Sequence, residues 1–312
     1  MSATDTASAE ASASAQVPAP TRTQVRSEGV DARPLPPSGR ENRLVVSEIA
    51  LAVAIVLGWG LLYLVVLSGF QAGHTQSRLY PELRSALAEG VAPTGAPIAA
   101  GTPVALLDIP GAGLRDEVVV EGATSSLLRG GAGHVRGSVL PGQVGTSVVQ
   151  GRSLSFGAPF GSIAALPVGS QIAVTTQQGA FTYRVIGVRR AGAAVPTLAA
   201  GAGRLVLVTA DGHGLSRSGT VYVDADLVGK VAPAGAVAAV DPADAPMSRD
   251  TGVVTVALLA LALQVLILAA GWAVWARLRW SLVAAWTTGL PAVLAALWLV
   301  SSVGSRLLPS LV

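Results

Sequence analysis

Three long apolar runs stand out along the chain, at residues 49–70, 252–276 and 281–305, and none of them contains a charged residue. A membrane-spanning helix needs roughly 20 apolar residues. Backbone groups in hydrocarbon must bond within their own segment, so each run is predicted to be helical. The first run exceeds the apolar core of a signal peptide, and a long polar segment precedes it, so we interpret 44–70 as a signal anchor. The other predicted spans are 252–276 and 281–305.

The arginines that flank these spans predict their orientation. Five precede the first span and two lie between the second and third, namely Arg22, Arg26, Arg33, Arg40, Arg43, Arg277 and Arg279. Short loops rich in arginine stay on the cytoplasmic side of the membrane. We therefore expect a multi-pass plasma-membrane protein with its N-terminus in the cytoplasm and residues 71–250 outside.

Between the first and second spans the hydrophobic pattern changes its period. Residues 71–103 combine a short amphipathic helix, predicted at 75–92, with a Pro/Gly/Ala-rich linker. From 104 to 228 apolar residues alternate with polar ones in short runs bounded by Gly, Pro, Asp or Ser, which is typical of β-strands. Seven or more such strands favour a mainly β domain, either a sandwich or a barrel. Residues 229–251 read as a second linker, and the cytoplasmic tail 1–43 is predicted to be disordered.

Composition excludes several kinds of chemistry. Charged residues make up 12% of the chain, about half the share usual in soluble domains. The chain has no cysteine, which excludes disulfides, thiolate metal sites and a cysteine nucleophile. Three histidines and 4% aromatic residues give no basis for a metal site or for a nucleic-acid stacking surface. We accordingly expect no metal, no cofactor and no nucleic-acid partner.

Two histidines have neighbours that raise the question of a catalytic role. Asp211 and His213 place an acid near an imidazole, but the serines that would complete a triad lie only a few residues away along the same chain. We therefore interpret this stretch as a polar loop after a strand. His134 lies in a glycine-rich loop, where ordering of the loop by a hydrogen bond is favoured over catalysis.

The stretch 133–160 carries a more specific pattern, GHVRGSVLPGQVGTSVVQGRSLSFGAPF. It resembles the sortase family, in particular the housekeeping-like (class E) sortases of actinobacteria, through LPGQ-x-G and the following GAPF. The resemblance continues through IAALPVGSQI and FTYRV and covers about residues 103–226. It implies a sortase-like eight-stranded β-barrel outside the membrane, joined to three transmembrane α-helices. It also implies cysteine transpeptidation of a sorting-signal peptide, with a histidine handling the proton and an arginine stabilising the oxyanion.

The catalytic positions that this resemblance implies are all occupied by other residues. Arg152 stands at the position of the family's histidine, Ala210 at that of its cysteine and Thr220 at that of its arginine. A methyl group cannot form a thioester, and an arginine that stays charged cannot act as a base. We therefore predict that the protein has no catalytic residues of the sortase type and no sortase activity.

Three functions remain open at this stage. The first is a catalytically inactive pseudo-sortase that binds peptides or proteins at the cell envelope, such as an active sortase, a sorting-signal peptide or another envelope protein. The second is an acyl or peptidyl transferase, or a hydrolase, with non-cysteine chemistry in the same groove. The third is a structural membrane subunit of an envelope complex. The candidate polar residues of the groove are Arg152, Asp211, His213 and Arg217.

Overall fold

The computed structural model describes residues 47, 54–213, 216–279, 283 and 285–312. The tail predicted at 1–43 lies outside these residues, as do the first residues of the first and third predicted spans. The side chains of four residues in helices and strands also lie outside the description: His213, Ser216, Ser218 and Ala285.

Three helices are long and apolar enough to cross a membrane, and they match the three apolar runs of the sequence. They are α1 (Ala54–Glu89), α2 (Val253–Arg279) and α3 (Trp286–Leu307). Helix α1 continues through the stretch predicted as a separate amphipathic helix and ends at Gly90, whose φ of 74° is left-handed. Helices α1 and α3 are in contact, because Trp59 Nε1 donates to Ser301 Oγ at 3.2 Å.

Eight strands follow α1 and close into a barrel. They are β1 (Pro103–Ile109), β2 (Leu114–Glu121), β3 (Gly133–His134), β4 (Gly145–Gln150), β5 (Gln171–Thr176), β6 (Gly179–Arg190), β7 (Gly203–His213) and β8 (Ser216–Val228). Their order around the barrel is β1-β2-β3-β4-β7-β8-β6-β5. The pairs β2–β3 and β4–β7 are parallel and the other pairs are antiparallel. The predicted mainly β fold, an eight-stranded barrel with three apolar helices, is confirmed.

Alternation along the strands creates the barrel core. In β6, Phe181, Tyr183 and Val185 are buried while the residues between them are exposed. Successive side chains of a strand point to opposite faces, so this period places one apolar row inside. Each fully buried aliphatic or aromatic side chain contributes roughly 1.5–3 kcal/mol.

Two segments outside the strands are fixed to the barrel by buried or partly buried polar contacts. Gln76 of α1 reaches strand β2, where Val118 N donates to its Oε1 at 2.9 Å and its Nε2 donates to Val118 O at 3.1 Å. In the segment predicted as a linker at 229–251, Asp244 accepts from Arg136 Nε at 2.7 Å and from Ala123 N at 2.9 Å. Both segments therefore lie against the barrel next to the site described below.

Candidate functional site

The ends of β4, β7 and β8 meet at one end of the barrel. Gly151, directly after β4, donates its N–H to Val208 O at 3.1 Å and accepts from Thr209 Oγ1 at 3.0 Å. On the other side of β7, Ala210 pairs with Thr220 of β8. The structure thus places these three positions side by side at one end of the barrel: Arg152 just after β4, Ala210 in β7 and Thr220 in β8.

Close packing explains the glycine that precedes Arg152. A Cβ atom at Gly151 would lie 2.6 Å from the ring of Phe160, which is fully buried. Phe160 also donates its N–H to Arg152 O at 3.0 Å, so the loop folds back on itself immediately after β4. Such a close approach of ring and backbone leaves no room for a side chain.

One side of this region is an open cavity of about 350 Å³, which we call the Ala210 pocket. Its lining residues are Gly161, Ala164, Ala165, Arg190, Thr209, Ala210, Asp211, Gly212 and Arg217. At its rim, Arg190 Nε donates to Asp211 Oδ2 at 2.5 Å. This hydrogen bond to Asp211 raises the pKa of the exposed Arg190. The pocket therefore combines an apolar wall with charged residues at its mouth.

Three of the four predicted groove residues have described side chains, and these divide between two places. Asp211 and Arg217 line the Ala210 pocket together with Ala210 itself. His213 pairs through its backbone with Ser216, and its side chain is not among those described. Arg152 lies instead in the interior with 0% of its surface exposed.

A buried polar cluster surrounds Arg152. Its Nη1 donates to Val312 O at 2.7 Å and to Ser155 Oγ at 3.2 Å, and its Nη2 donates to Ser125 O at 3.0 Å. Its Cζ lies 4.9 Å from the centre of the Phe156 ring. Burial, together with the nearby Arg129, lowers the pKa of Arg152 to about 9, so it is still a cation at neutral pH. We call Ser125, Arg152, Ser153 and Ser155 the Arg152 cluster.

The partner of this cluster is the segment 308–312. Ser153 donates to Leu311 O from both its N–H, at 2.9 Å, and its Oγ, at 3.0 Å. Ser155 Oγ donates to Val312 O at 2.6 Å. Leu311 is completely buried in an apolar cluster with Ala123, Leu128, Val206, Val208 and Ala210. Sequence analysis did not place this segment in the site, because a five-residue stretch after a span carries no periodic signal.

His134 has a structural role, in line with its interpretation from sequence. Its Nδ1 lies 2.8 Å from Glu121 Oε2, and its Nε2 lies 2.9 Å from Val139 O. Both ring nitrogens and the loop after β3 are thereby fixed inside the barrel. Within the part of the chain that the structure describes, no group of three acidic or histidine side chains could hold a metal ion.

The barrel is similar to known proteins. Residues 107–227 match the family model described as Sortase domain. Among solved structures, a Clostridium perfringens sortase D5 transpeptidase is 22% identical, with 50% of this chain and 99% of that chain covered and a TM-score of 0.42. Sortase C-1 from Actinomyces oris is 25% identical, with 41% and 76% covered and a TM-score of 0.36. Sortase A from Corynebacterium diphtheriae is 18% identical, with 53% and 92% covered and a TM-score of 0.38. No curated protein matches the chain.

Proposed function

Because residues 107–227 are a sortase domain, we propose that the protein is a catalytically inactive, membrane-anchored sortase relative whose barrel binds a peptide or protein at the cell envelope. One observation carries this proposal. A sortase needs a cysteine thiolate as its nucleophile, and this chain, which contains no cysteine, has Ala210 at the corresponding position in the wall of an open pocket. Acyl transfer through that position has no atom to form the covalent bond.

The other two catalytic positions support the same conclusion. Arg152 takes the place of the family's histidine, but it is a buried cation whose guanidinium already donates to Ser125 and Val312. It therefore has no lone pair with which to accept a proton. Thr220 takes the place of the family's arginine and is only 9% exposed.

Binding of a peptide does not require the family's catalytic cysteine, histidine or arginine. An extended peptide can be held by main-chain hydrogen bonds and by side-chain pockets. The Ala210 pocket offers an apolar wall formed by Ala164, Ala165 and Ala210, with the charges of Asp211 and Arg217 at its mouth. The candidate partners are a sorting-signal peptide, an active sortase or another envelope protein.

The three helices support an extracytoplasmic barrel. The C-terminal half of α1 contacts the barrel through Gln76, and the segment after α3 enters the Arg152 cluster. Both helix ends therefore face the barrel side. Arg277 and Arg279 follow at the opposite end of α2, where basic residues favour the cytoplasm. We infer an N-terminus inside the cell and a barrel outside.

An enzyme with serine chemistry is disfavoured by the same geometry. Ser153 and Ser155 donate their hydroxyl protons to the backbone oxygens of residues 311 and 312. Asp211, the acid nearest Ala210 in the chain, is paired with Arg190. A nucleophilic serine needs a free base within hydrogen-bond reach, and among the described side chains Ser153, Ser155 and Asp211 are engaged in these pairings.

The test uses the full chain in lipid nanodiscs with a fluorescent sorting-signal peptide. We expect saturable binding, and with added hydroxylamine we expect no hydroxamate above the peptide-only blank. Arg217→Glu should weaken binding at least about 10-fold, because it reverses the charge at the pocket mouth. Arg184→Glu, on the exposed face of β6, is the matched control and should leave Kd unchanged. Hydroxamate formation, or equal effects of the two charge reversals, would contradict the proposal.

A further inference from the structure

The chain beyond α3 turns back into the barrel. Arg306 O accepts from Asp250 N at 3.3 Å and from Ser125 Oγ at 3.4 Å. Ser310 then donates its N–H to Ser248 O at 2.8 Å, and Ser310 and Leu311 are both 0% exposed. Residues 308–312 are therefore inserted between the barrel and the segment that leads to α2.

The barrel holds this segment as a protein holds a bound peptide. Two successive backbone oxygens, of Leu311 and Val312, each accept two hydrogen bonds from the Arg152 cluster. The side chain of Leu311 fills an apolar pocket whose wall includes Ala210. Main-chain hydrogen bonds give such a complex its affinity, and the side-chain pocket gives its specificity.

The Arg152 cluster is built to receive acceptor oxygens. Across the described residues, no acidic side chain forms an ion pair with Arg152, and its Nε is buried with no hydrogen-bond partner. A buried guanidinium without acceptors is strongly unfavourable. The donors of Arg152, Ser153 and Ser155 converge on the backbone oxygens of residues 311 and 312, and Val312 O is the acceptor of Arg152 Nη1.

We propose that residues 308–312 are an intramolecular ligand of the barrel, bound in the Arg152 cluster beside Ala210. There they exclude any other apolar peptide that would bind through hydrogen bonds to its backbone oxygens. The part of this inference that concerns a second peptide rests on the proposed binding function. A tethered ligand acts at an effective concentration in the millimolar range. A free peptide therefore enters the cluster only after the segment has left it.

The absence of native cysteine allows a direct test by thiol modification. Ser310→Cys is nearly isosteric, and in the described structure Ser310 Oγ has no hydrogen-bond partner to lose. Ser162→Cys, on an exposed barrel loop, reports free access. Ser147→Cys, 1% exposed on β4, reports unfolding of the whole barrel. In the full chain in nanodiscs, maleimide should modify Ser310→Cys at least about 100-fold more slowly than Ser162→Cys.

Weakening the cluster should release the segment without unfolding the barrel. Adding Ser155→Ala removes a donor to Val312 O and should speed modification of Ser310→Cys about 5- to 10-fold. Adding Leu311→Asp, which would bury a charge, should bring the rate to that of Ser162→Cys. Neither change should affect the rate for Ser147→Cys. Modification of Ser310→Cys as fast as Ser162→Cys in the otherwise native chain would overturn the inference.

A labelled peptide with the sequence of residues 307–312 completes the test. It should bind the Leu311→Asp chain at least about 10-fold more tightly than the native chain, because the competing segment has been displaced. Equal affinity for both chains would contradict the inference. The proposed function has a separate readout: if the thiol at position 310 is protected but no sorting-signal peptide binds, the intramolecular ligand stands and the envelope-binding role fails.

Discussion

The Ala210 pocket and the Arg152 cluster both adjoin the end of β7, but they differ in exposure and in charge balance. The pocket is open, and its rim carries an ion pair between Arg190 and Asp211 in which Arg190 is 73% exposed. The cluster is sealed, and Arg152 is 0% exposed. The same end of the barrel thus contains an open pocket with an ion pair at its rim and a sealed cluster with a buried cation.

Under the proposed function, this difference shows two ways in which catalytic positions can be replaced. At position 210 a small methyl group, 2% exposed, packs in the apolar cluster with Leu311 and adjoins an open pocket. At position 152 a large side chain takes five potential donors into the interior, and these donors require oxygen acceptors. Val312 O accepts from Nη1 and Ser125 O accepts from Nη2, so residue 312 meets part of that need. One replacement preserves a binding site, and the other fills one.

The largest expected effect comes from removing the buried cation. Arg152→Ala deletes the donors to Ser125 O and Val312 O and leaves a cavity, so we expect a loss of about 4 kcal/mol in the free energy of unfolding. For a domain of this size that corresponds to a fall in Tm of about 10 °C. Thermal unfolding followed by circular dichroism in detergent micelles measures it.

The matched change in the open region is Arg217→Ala. Arg217 lines the rim of the Ala210 pocket, where solvent screens charge, so we expect a loss below about 1 kcal/mol. If the two variants lose the same stability, the distinction between a filled interior site and an open surface site is wrong.

A second prediction concerns the pH dependence of stability, which we assign to a residue outside both the Ala210 pocket and the Arg152 cluster. Glu117 of β2 is 9% exposed and accepts from Ala132 N at 3.0 Å. Burial raises the pKa of this carboxyl to about 7, from 4.5 in the unfolded chain. The fold therefore favours the protonated form. Its contribution is complete below pH 4.5, declines as pH rises towards 7, and amounts to about 3 kcal/mol at most.

Glu117→Gln should remove this dependence, since an amide oxygen can still accept from Ala132 N but cannot ionise. We expect the variant to match the native chain at pH 4.5 and to exceed it by up to about 3 kcal/mol at pH 8. Thr182→Ala, at an exposed position of β6 that does not titrate, serves as the control and should leave the shape of the pH profile unchanged. A native-like profile for Glu117→Gln would place the titrating group elsewhere.

Much of the fold could be predicted because its signals are local. Alternation in 181–185 indicates a strand, and long uncharged runs indicate spanning helices. Strand β3 could not be predicted in this way, because Gly133 and His134 are too short a pair to show a period. The continuation of α1 to Glu89 was also missed, since an amphipathic stretch after an apolar one reads as a new element.

The site shows the same limit more sharply. Asp211 and Arg217 were expected in loops beside Ala210. The structure places them in strands β7 and β8 instead, and all three residues line one pocket. Arg152 was expected among the exposed polar residues of a groove, since arginine is rarely fully buried. Its burial depends on an acceptor 160 residues away at Val312. No local pattern in the sequence predicts such a long-range contact.

The smallest expected effect is that of restoring only the missing nucleophile. Ala210→Cys puts a thiol at a position that is 2% exposed, in the apolar cluster with Leu311 and at the wall of the Ala210 pocket. We expect no transpeptidation above the blank, because the groups of a catalytic set act as a unit and one of them alone recovers almost none of the rate. Peptide release in the presence of hydroxylamine measures this, with the native chain as control.

The combined variant Ala210→Cys, Arg152→His and Thr220→Arg is the matched comparison. It restores all three residue types but also removes the donors that hold residues 311 and 312. Turnover by Ala210→Cys alone would mean that a base already acts in the open pocket, and the difference between the two regions would then be structural but not chemical.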